Sequence, residues 1–454
     1  MVDDDGADPG GHRAADWARS GVVALTGRPE GPPLVPPGDG ATVAGRVAAR
    51  LATATGGSDH PVRVDGAALL AERAAYTGHR RRGMVSAGGL CRLLPTADGW
   101  AAVSCARPDD PPLLGALIGA ELTADPWPGV AAWLRTHTGA ELAERAALLG
   151  LAAAPVDGAG PTPVDRAPTA TAHEAGPLPA HEAGPTPGPP IGPLRSPEGL
   201  LVVDFSALWA GPLCAHLLGL GGARVVKVET PQRLDGARRG HPEFYRLLHA
   251  GHRAVLLDPD TAGGRQALAA LVAAADIVIE ASRPRALARF GLDAETAAGE
   301  GTIWVSITAA GRGSPRVGFG DDVAAGAGLV ACDERGAPVF CGDALADPLT
   351  GLAVAELALT APQDGRGRLF DVAMSGVVAA TLTGPRRSPA VAARRDGASW
   401  VVDTPGGPVP LAAPRRRGTS DPASTSTSTP ARAPAPAPGE HTAEVLRELR
   451  IPVP

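Results

Sequence analysis

The chain is poor in the residues that mark several classes of protein. Aromatic side chains make up only 3% of its 454 residues, and the formal net charge is −6. Base-stacking platforms need aromatic rings, and a broad nucleic-acid footprint needs clustered positive charge. We therefore expect no nucleic-acid partner.

Cysteine is also scarce, and its spacing excludes two kinds of structural support. The five cysteines are scattered, odd in number, and form no C-x-x-C pair: Cys91, Cys105, Cys214, Cys332 and Cys341. This pattern fits neither a disulfide framework nor a structural zinc site. We predict no metal site.

Long hydrophobic runs are missing too. No apolar stretch is long enough to span a bilayer, and the start, MVDDDGADPGGH, has neither the basic residues nor the apolar core of a signal peptide. The sequence therefore favours a reduced, cytoplasmic setting with no membrane partner.

What is present is enough length and apolar content, 44%, for two domains. Two stretches resemble linkers: the first is rich in Pro, Ala and Gly and contains AHEAGP twice, and the second, at 413–438, runs through PRRRGTSDPASTSTSTPARAPAPAP. The expected divisions are a small α+β region at 1–151, a linker at 152–198, a Rossmann-like domain at 199–385, an irregular low-complexity segment at 386–438 and a C-terminal helix at 439–454.

The central part alternates strands and helices. LLVVDF, ARVVKVE, RAVLLD, DIVIE and TIWVSI are apolar runs typical of strands buried on both faces, and helical segments lie between several of them. This alternation predicts an α/β fold with a doubly wound parallel sheet. In the first part, the turn signal Asp98-Gly99 between two apolar runs predicts a hairpin.

Ligands of such sheets bind where strands end and helices begin. The turn at 208–212 and the strand-end Glu229 occupy such positions. However, both G-x-G-x-x-G and the Walker A pattern are absent, which argues against dinucleotide or P-loop binding. Residue chemistry alone leaves two readings open, an anion site or a tight turn beside a solvent-facing carboxylate.

The order of these segments resembles the family III CoA-transferases. The resemblance runs from VVDFSALWAGPLCAHLLGLGGARVVKVETP through IWVSITAAGRGSP and ALADPLTGLAVAELAL to GRGRLFDVAMSGVV. The region before the linker resembles the family's smaller domain, which usually follows the nucleotide-binding half. Either the parts are rearranged here, or a truncated duplicate precedes an incomplete second copy.

The resemblance implies that Asp347 is the catalytic carboxylate, because Ala346-Asp347 and Gly351-Leu352 match the family pattern A-D-x-x-x-G-L. It would attack an acyl-CoA thioester and pass through an anhydride and an aspartyl-CoA thioester to transfer CoA to a carboxylic acid. The alternative is that Asp347 only caps a helix. Asp343 is the nearest rival.

The resemblance also implies that coenzyme A or acyl-CoA is bound as substrate, with no tightly bound cofactor, by a homodimer. The CoA-contacting positions carried over are Leu208, Trp209, Ala210, Gly211, Lys227, Glu229, Arg253 and Arg283. Arg238 and Arg239 are further candidates for phosphate contacts.

Two other functions stay open. An α-methylacyl-CoA racemase needs an acid and a base on opposite faces of the α-carbon, but the family's G-H-D pattern is here Gly320-Asp321-Asp322, without histidine. A CoA-binding or interaction protein without turnover is the other alternative, because several pocket residues depart from the family pattern.

Overall fold

The computed structural model describes residues 9–122, 125–156, 181–182, 194–282, 284–360, 367–383, 389–417 and 434–454. The helices in these ranges are α1 (Pro9–Ser20), α2 (Gly40–Thr55), α3 (Gly66–Leu69), α4 (Glu72–Thr77), α5 (Asp110–Ile118), α6 (Trp127–Leu134), α7 (Gly139–Leu149), α8 (Ala210–Leu220), α9 (Pro242–His249), α10 (Ala262–Ala273), α11 (Pro284–Ala288), α12 (Ala294–Gly299), α13 (Gly320–Gly326), α14 (Ala346–Thr360), α15 (Met374–Ala380) and α16 (Thr442–Glu448). The strands are β1 (Cys91–Pro95), β2 (Trp100–Ser104), β3 (Ala153–Pro155), β4 (His181–Glu182), β5 (Leu201–Asp204), β6 (Arg224–Glu229), β7 (Arg253–Leu256), β8 (Ile277–Glu280), β9 (Ile303–Thr308), β10 (Val330–Cys332), β11 (Pro338–Phe340), β12 (Arg368–Ala373), β13 (Arg394–Asp396), β14 (Ser399–Thr404) and β15 (Gly407–Pro410).

The central sheet is parallel and has the strand order β4-β12-β9-β8-β5-β6-β7. From β5 the chain winds first outward through β6 and β7, and then returns to β8 on the other side of β5. The order therefore reverses between β5 and β8, as in a doubly wound Rossmann-like sheet. The predicted α/β fold is confirmed. Its switch point lies beside the turn that connects β5 to α8.

The strands of this sheet are largely apolar because helices cover both faces. Val202 and Ile277 face a core formed with α8 and α14, whereas Leu201 and Val203 face a core formed with α10 and α16. Alternating strand residues thus enter different cores, which is why the strands are continuous apolar runs in the sequence.

The N-terminal helices belong to the first of these cores. Trp17 of α1 and Leu69 of α3 are buried in the same cluster as Leu349 of α14. Gly40, at the start of α2, lies so close to Trp17 that an added Cβ would come within 3.0 Å of its ring. Residues of the region expected as a small domain therefore help to cover the central sheet.

A second, smaller unit follows in the chain. Strands β1 and β2 form the hairpin predicted from Asp98-Gly99, and β3 pairs with β2 in an antiparallel sheet. Helices α5, α6 and α7 pack on this sheet around Leu114, Val130 and Leu142. This unit is the smaller α+β part of the predicted fold.

The segment from 394 to 410, which we expect from its composition to be irregular, instead forms the antiparallel sheet β13-β14-β15. Val402 enters the core shared with α1, and the Ala412 N–H donates to the Ala18 carbonyl at 2.9 Å. A few apolar residues in β14 are enough to fix the segment against a neighbouring helix.

Candidate active site

Asp347 lies in the first turn of α14. The preceding loop bends through Ala344, which has a left-handed φ of 50°, and the Asp347 N–H donates to the Ala344 carbonyl at 3.0 Å. The Asp347 side chain is half-buried. A helix start carries unpaired N–H groups and partial positive charge, so a carboxylate here lies in a favourable electrostatic position.

The pKa of the Asp347 carboxyl is nonetheless raised to about 7. Exclusion of water is the largest cause, and repulsion from Asp321 and Asp322 acts in the same direction. The Arg73 guanidinium and a hydrogen bond from the Ala210 N–H act in the opposite direction. A carboxyl with this pKa exists in both protonation states at neutral pH, which is a feature common at catalytic sites.

Gly320, at the start of α13, leaves the space that the Asp347 carboxylate occupies. A Cβ added at Gly320 would lie 2.2 Å from Asp347 Oδ2 and 2.6 Å from the Ala344 carbonyl oxygen. No larger residue fits unless the carboxylate or the loop moves. The sequence pattern Gly320-Asp321-Asp322 thus lies directly against Asp347.

The two carboxyls that follow Gly320 are both held by the protein. Asp321 accepts the Ala344 N–H at 2.9 Å, and Asp322 accepts the Phe319 N–H at 2.8 Å and the Ser104 hydroxyl at 2.9 Å. Burial raises the pKa of each carboxyl to about 6. The bond from Ser104 also connects the small sheet to α13.

The turn before α8 approaches Asp347 from the sheet. Ala210 supplies the N–H that Asp347 accepts, and the Ala210 carbonyl would lie 2.8 Å from a Cβ at Gly351, one turn into α14. Trp209 is buried, whereas Leu208 is 42% exposed and has a left-handed φ of 70°. Of the predicted CoA-contacting residues, Ala210 lies beside Asp347.

Gly211 completes this turn by its small size. An added Cβ would lie 2.2 Å from the Ser206 side chain. The glycine therefore allows the start of α8 to fold back tightly against the end of β5.

Lys227 has a different position from the one predicted. Its side chain is only 1% exposed, and its ammonium lies 3.1 Å from Asp235 and 3.5 Å from Asp204 while donating to the Ser206 carbonyl. Asp235 in turn accepts the Leu208 N–H at 3.0 Å. In this structure Lys227 stabilises the 205–209 turn through these buried contacts.

Glu229 and Arg253 are also engaged within the protein. Glu229 is buried and accepts the Asp235 N–H at 2.8 Å and two nitrogens of Arg238. Arg253 pairs with Glu448 on α16. Each would have to change partners to bind a ribose or a phosphate.

Arg73 and His79, which the sequence analysis did not identify, also reach the site through contacts with Asp343. Asp343, the rival to Asp347, is fully buried and accepts Arg73 Nε at 2.9 Å and Arg73 Nη2 at 2.5 Å. His79 Nδ1 lies 3.2 Å from the same carboxylate. The Arg73 pair, despite burial, holds the pKa of Asp343 well below its usual range.

The predicted residue Arg283 lies outside the described residues. Across the residues that the structure describes, no group of three His, Cys, Asp or Glu side chains is arranged to hold a metal ion. In the same residues, no helix has the length and apolar character needed to cross a bilayer.

Chemically, this arrangement offers one accessible carboxylate with two functions. Asp347 receives a backbone N–H and lies near one guanidinium, so its ionised form can act as a nucleophile. Its pKa also suits a group that takes up and returns a proton.

Comparison with known proteins finds similarity to one family over the region that contains Asp347. The model of CoA-transferase family III matches residues 198–398. The chain is 30% identical over 209 residues to the succinate–glutarate CoA-transferase of Agrobacterium fabrum, covering 41% of this chain and 52% of the relative. It is 30% identical over 199 residues to a formyl-CoA:oxalate CoA-transferase of Escherichia coli, covering 40% and 48%.

A solved structure, a CAIB/BAIF family protein from Brucella suis, has 25% sequence identity and a TM-score of 0.41, covering 46% of this chain and 66% of that one. The chain spans about half the length of the curated relatives it matches. Asp347, its glycine neighbour Gly320 and the turn before α8 all lie within the matched part. The similarity of this chain to CoA-transferase family III is therefore carried by residues 198–398.

Proposed function

We propose that the protein transfers coenzyme A from an acyl-CoA to a carboxylic acid, with Asp347 as the nucleophile. The observation that carries this proposal is the placement of the Asp347 carboxylate, which is half-buried at a helix start, receives the Ala210 N–H and faces Gly320. Similarity of the matched region to a family whose relatives are named CoA-transferases supports the same reaction.

In the proposed first half-reaction, an Asp347 oxygen attacks the thioester carbonyl and the carbon–sulfur bond breaks. This gives an aspartyl–acyl anhydride and a CoA thiolate. The thiolate then attacks the Asp347 carbonyl carbon, so the donor acid leaves as a carboxylate and an aspartyl-CoA thioester remains. The Ala210 N–H is aimed at the Asp347 oxygens, where negative charge develops in this second attack.

In the second half-reaction, the acceptor carboxylate attacks the aspartyl-CoA carbonyl and releases the thiolate. The thiolate then attacks the acceptor carbonyl of the new anhydride and regenerates the Asp347 carboxylate. Burial matters at both anhydride steps because water would hydrolyse the intermediate. We further propose that the protein is cytoplasmic, as its cysteine pattern suggests, and forms a homodimer, as the resemblance implies.

Intact-protein mass spectrometry tests the proposal. The protein is incubated with succinyl-CoA and formyl-CoA, then with glutarate or oxalate, the acids in the relatives' names. We expect an adduct that hydroxylamine removes, that maps to Asp347, and that is absent in Asp347→Asn. Asp403→Asn changes an aspartate in β14, paired with Arg394, and is expected to leave the adduct unchanged.

Other outcomes favour the alternative functions. Binding of CoA without any adduct or transfer, across a wider panel of acyl-CoAs, would support a binding protein. Incorporation of solvent deuterium at the α-carbon of a branched acyl-CoA, lost in Asp347→Asn, would support a racemase. An absence of CoA binding would overturn both the transferase and these alternatives.

A further inference from the structure

Arg73 is a charged residue at this site that comes from outside the family-matched region. It lies in α4, more than a hundred residues before residue 198, yet its guanidinium binds Asp343, four residues before Asp347. Its Cζ also lies 4.7 Å from the centre of the Trp209 ring. Arg73 therefore connects α4 with the two loops that carry Ala210 and Asp347.

These contacts fix the orientation of the guanidinium. Nε and Nη2 are both occupied by Asp343, and the flat face of the group lies over an aromatic ring, a favourable cation–π position. The side chain remains 25% exposed. A planar, two-point attachment of this kind leaves the charge little freedom to move away from Asp347.

The charges around Asp347 make this position consequential. Asp321 and Asp322, from α13, repel the ionised carboxylate, and the Ala210 N–H of α8 attracts it. Asp343 on the same loop is neutralised by its two-point pair with Arg73. Arg73 is the side chain whose positive charge opposes this repulsion.

We propose that Arg73 is a positioning residue for Asp347. Held by Asp343 and Trp209, it keeps the nucleophile ionised and in place, so that residues preceding the family-matched region complete the site. This inference extends the proposed function. The titration of Asp347 tests it independently of the transferase reaction, and it rests on the proposed function only where adduct formation is measured.

The same helix offers a matched control. Glu72, next to Arg73 in the sequence, is buried and paired with Arg417, whose Nε and Nη2 donate at 2.7 and 2.8 Å. Arg417→Gln therefore removes a two-point arginine–carboxylate pair from α4, as Arg73→Gln does. Arg417 is not among the main charges that act on the pKa of Asp347.

The experiment follows the titration of Asp347 directly, by carbon-13 NMR of protein labelled at aspartate carboxyls, with Asp347→Asn to assign the signal. We expect the midpoint to rise by about one pH unit or more in Arg73→Gln and to stay in place in Arg417→Gln. Arg73→Lys keeps the charge but not the two-point geometry, so we expect its midpoint to rise less than that of Arg73→Gln.

A double variant separates Arg73 from its partner. In Arg73→Gln/Asp343→Asn, the carboxylate that lost its partner is removed as well, so we expect a smaller upward shift than in Arg73→Gln alone. Circular dichroism and thermal melting identify variants that do not fold, in which case Arg73→Lys and Arg417→Lys provide the comparison.

An unchanged midpoint in folded Arg73→Gln would overturn the inference, as would an equal shift in Arg417→Gln. These results are independent of the transferase proposal. If no acyl-CoA forms an adduct but the midpoint moves, Arg73 positions Asp347 and the proposed reaction is wrong. If the adduct forms with the wild-type pH dependence in Arg73→Gln, the proposed reaction stands and the positioning role fails.

Discussion

Two charged networks lie on opposite sides of the turn that precedes α8, and they differ in exposure. The Lys227 network consists of Lys227, Asp204 and Asp235, with side chains that are at most 1% exposed. The Asp347 cluster consists of Asp347, Asp321, Asp322 and Arg73, and it is partly open. Both act on the same turn, the first through the Leu208 N–H and the second through the Ala210 N–H.

The buried Lys227 network holds the turn in place, whereas the partly exposed Asp347 cluster contains the carboxyl that is proposed to react. In the Lys227 network two carboxylates flank one ammonium, and all three side chains are at most 1% exposed, so none of them is accessible to react. In the Asp347 cluster the Arg73 guanidinium acts on Asp347 and Asp321, Asp322 lies near Arg316, and all three carboxyls have raised pKa values. Unbalanced charge of this kind is costly for stability and is retained where function needs it.

The largest expected effect is a loss of stability when the lysine of the buried Lys227 network is removed. Lys227→Met should lower the free energy of unfolding by about 3–5 kcal/mol, because Asp204 and Asp235 would stay buried without their cation. Asp347→Asn should leave stability unchanged or raise it by about 1 kcal/mol at pH 8, where the buried carboxylate is ionised. Urea denaturation followed by circular dichroism measures both.

Equal losses in the free energy of unfolding of Lys227→Met and Asp347→Asn would contradict this distinction between the two networks. Asp235→Asn gives a second measurement if Lys227→Met fails to fold, because it removes one carboxylate and leaves the lysine paired with Asp204. We expect its loss to be smaller than that of Lys227→Met.

A steric change should impair the reactivity of the Asp347 cluster without altering its charge. In Gly320→Ala the new methyl group would overlap Asp347 Oδ2, so the carboxylate must move. A displacement of about 1 Å can lower a catalysed rate about 100-fold. The rate of adduct formation measures this loss. Gly313→Ala is the control, because a Cβ there meets no atom within 4 Å, and it should leave the rate unchanged.

The pH dependence of the reaction should report the same cluster. The pKa of Asp347 is raised to about 7 and only the ionised form attacks, so adduct formation should accelerate as pH rises through 7. The ionised fraction is roughly 10% at pH 6 and roughly 90% at pH 8, a difference of about 10-fold. Asp321 and Asp322 titrate nearby, so the rise should be broader than that of one group. A flat profile between pH 6 and 8 would contradict the assignment of Asp347.

The sequence predicted the central sheet because parallel strands covered on both faces have largely apolar interiors, and LLVVDF and DIVIE show such apolar runs. It also indicated the turn before α8, since helix starts at strand ends follow from local signals. The sheet at 394–410 was missed because its few apolar residues lie among prolines and arginines.

The site was harder to predict than the fold. Asp347 was identified through a motif, but Arg73 and Asp343 are separated by 270 residues, so only the fold brings them together. The burial of Lys227 could not be predicted for a different reason. In β6, Val226 and Val228 face one core and Lys227 points to the other side, and strand alternation cannot tell whether that side is open or covered.

The smallest effect expected is at Leu208, where the two networks meet. Its left-handed backbone costs about 1–2 kcal/mol for a residue with a side chain, and 42% of it is exposed, so its side chain contributes little to the core. Leu208→Gly relieves the backbone cost but adds unfolded-state entropy, so stability should change by less than about 1 kcal/mol.

If the exposed Leu208 side chain contacts acyl-CoA, the KM for acyl-CoA should rise several-fold in both Leu208→Gly and Leu208→Asn while kcat is kept, since asparagine also tolerates this backbone. An unchanged KM in both variants would mean that Leu208 serves only to form the turn, through its N–H bond to Asp235.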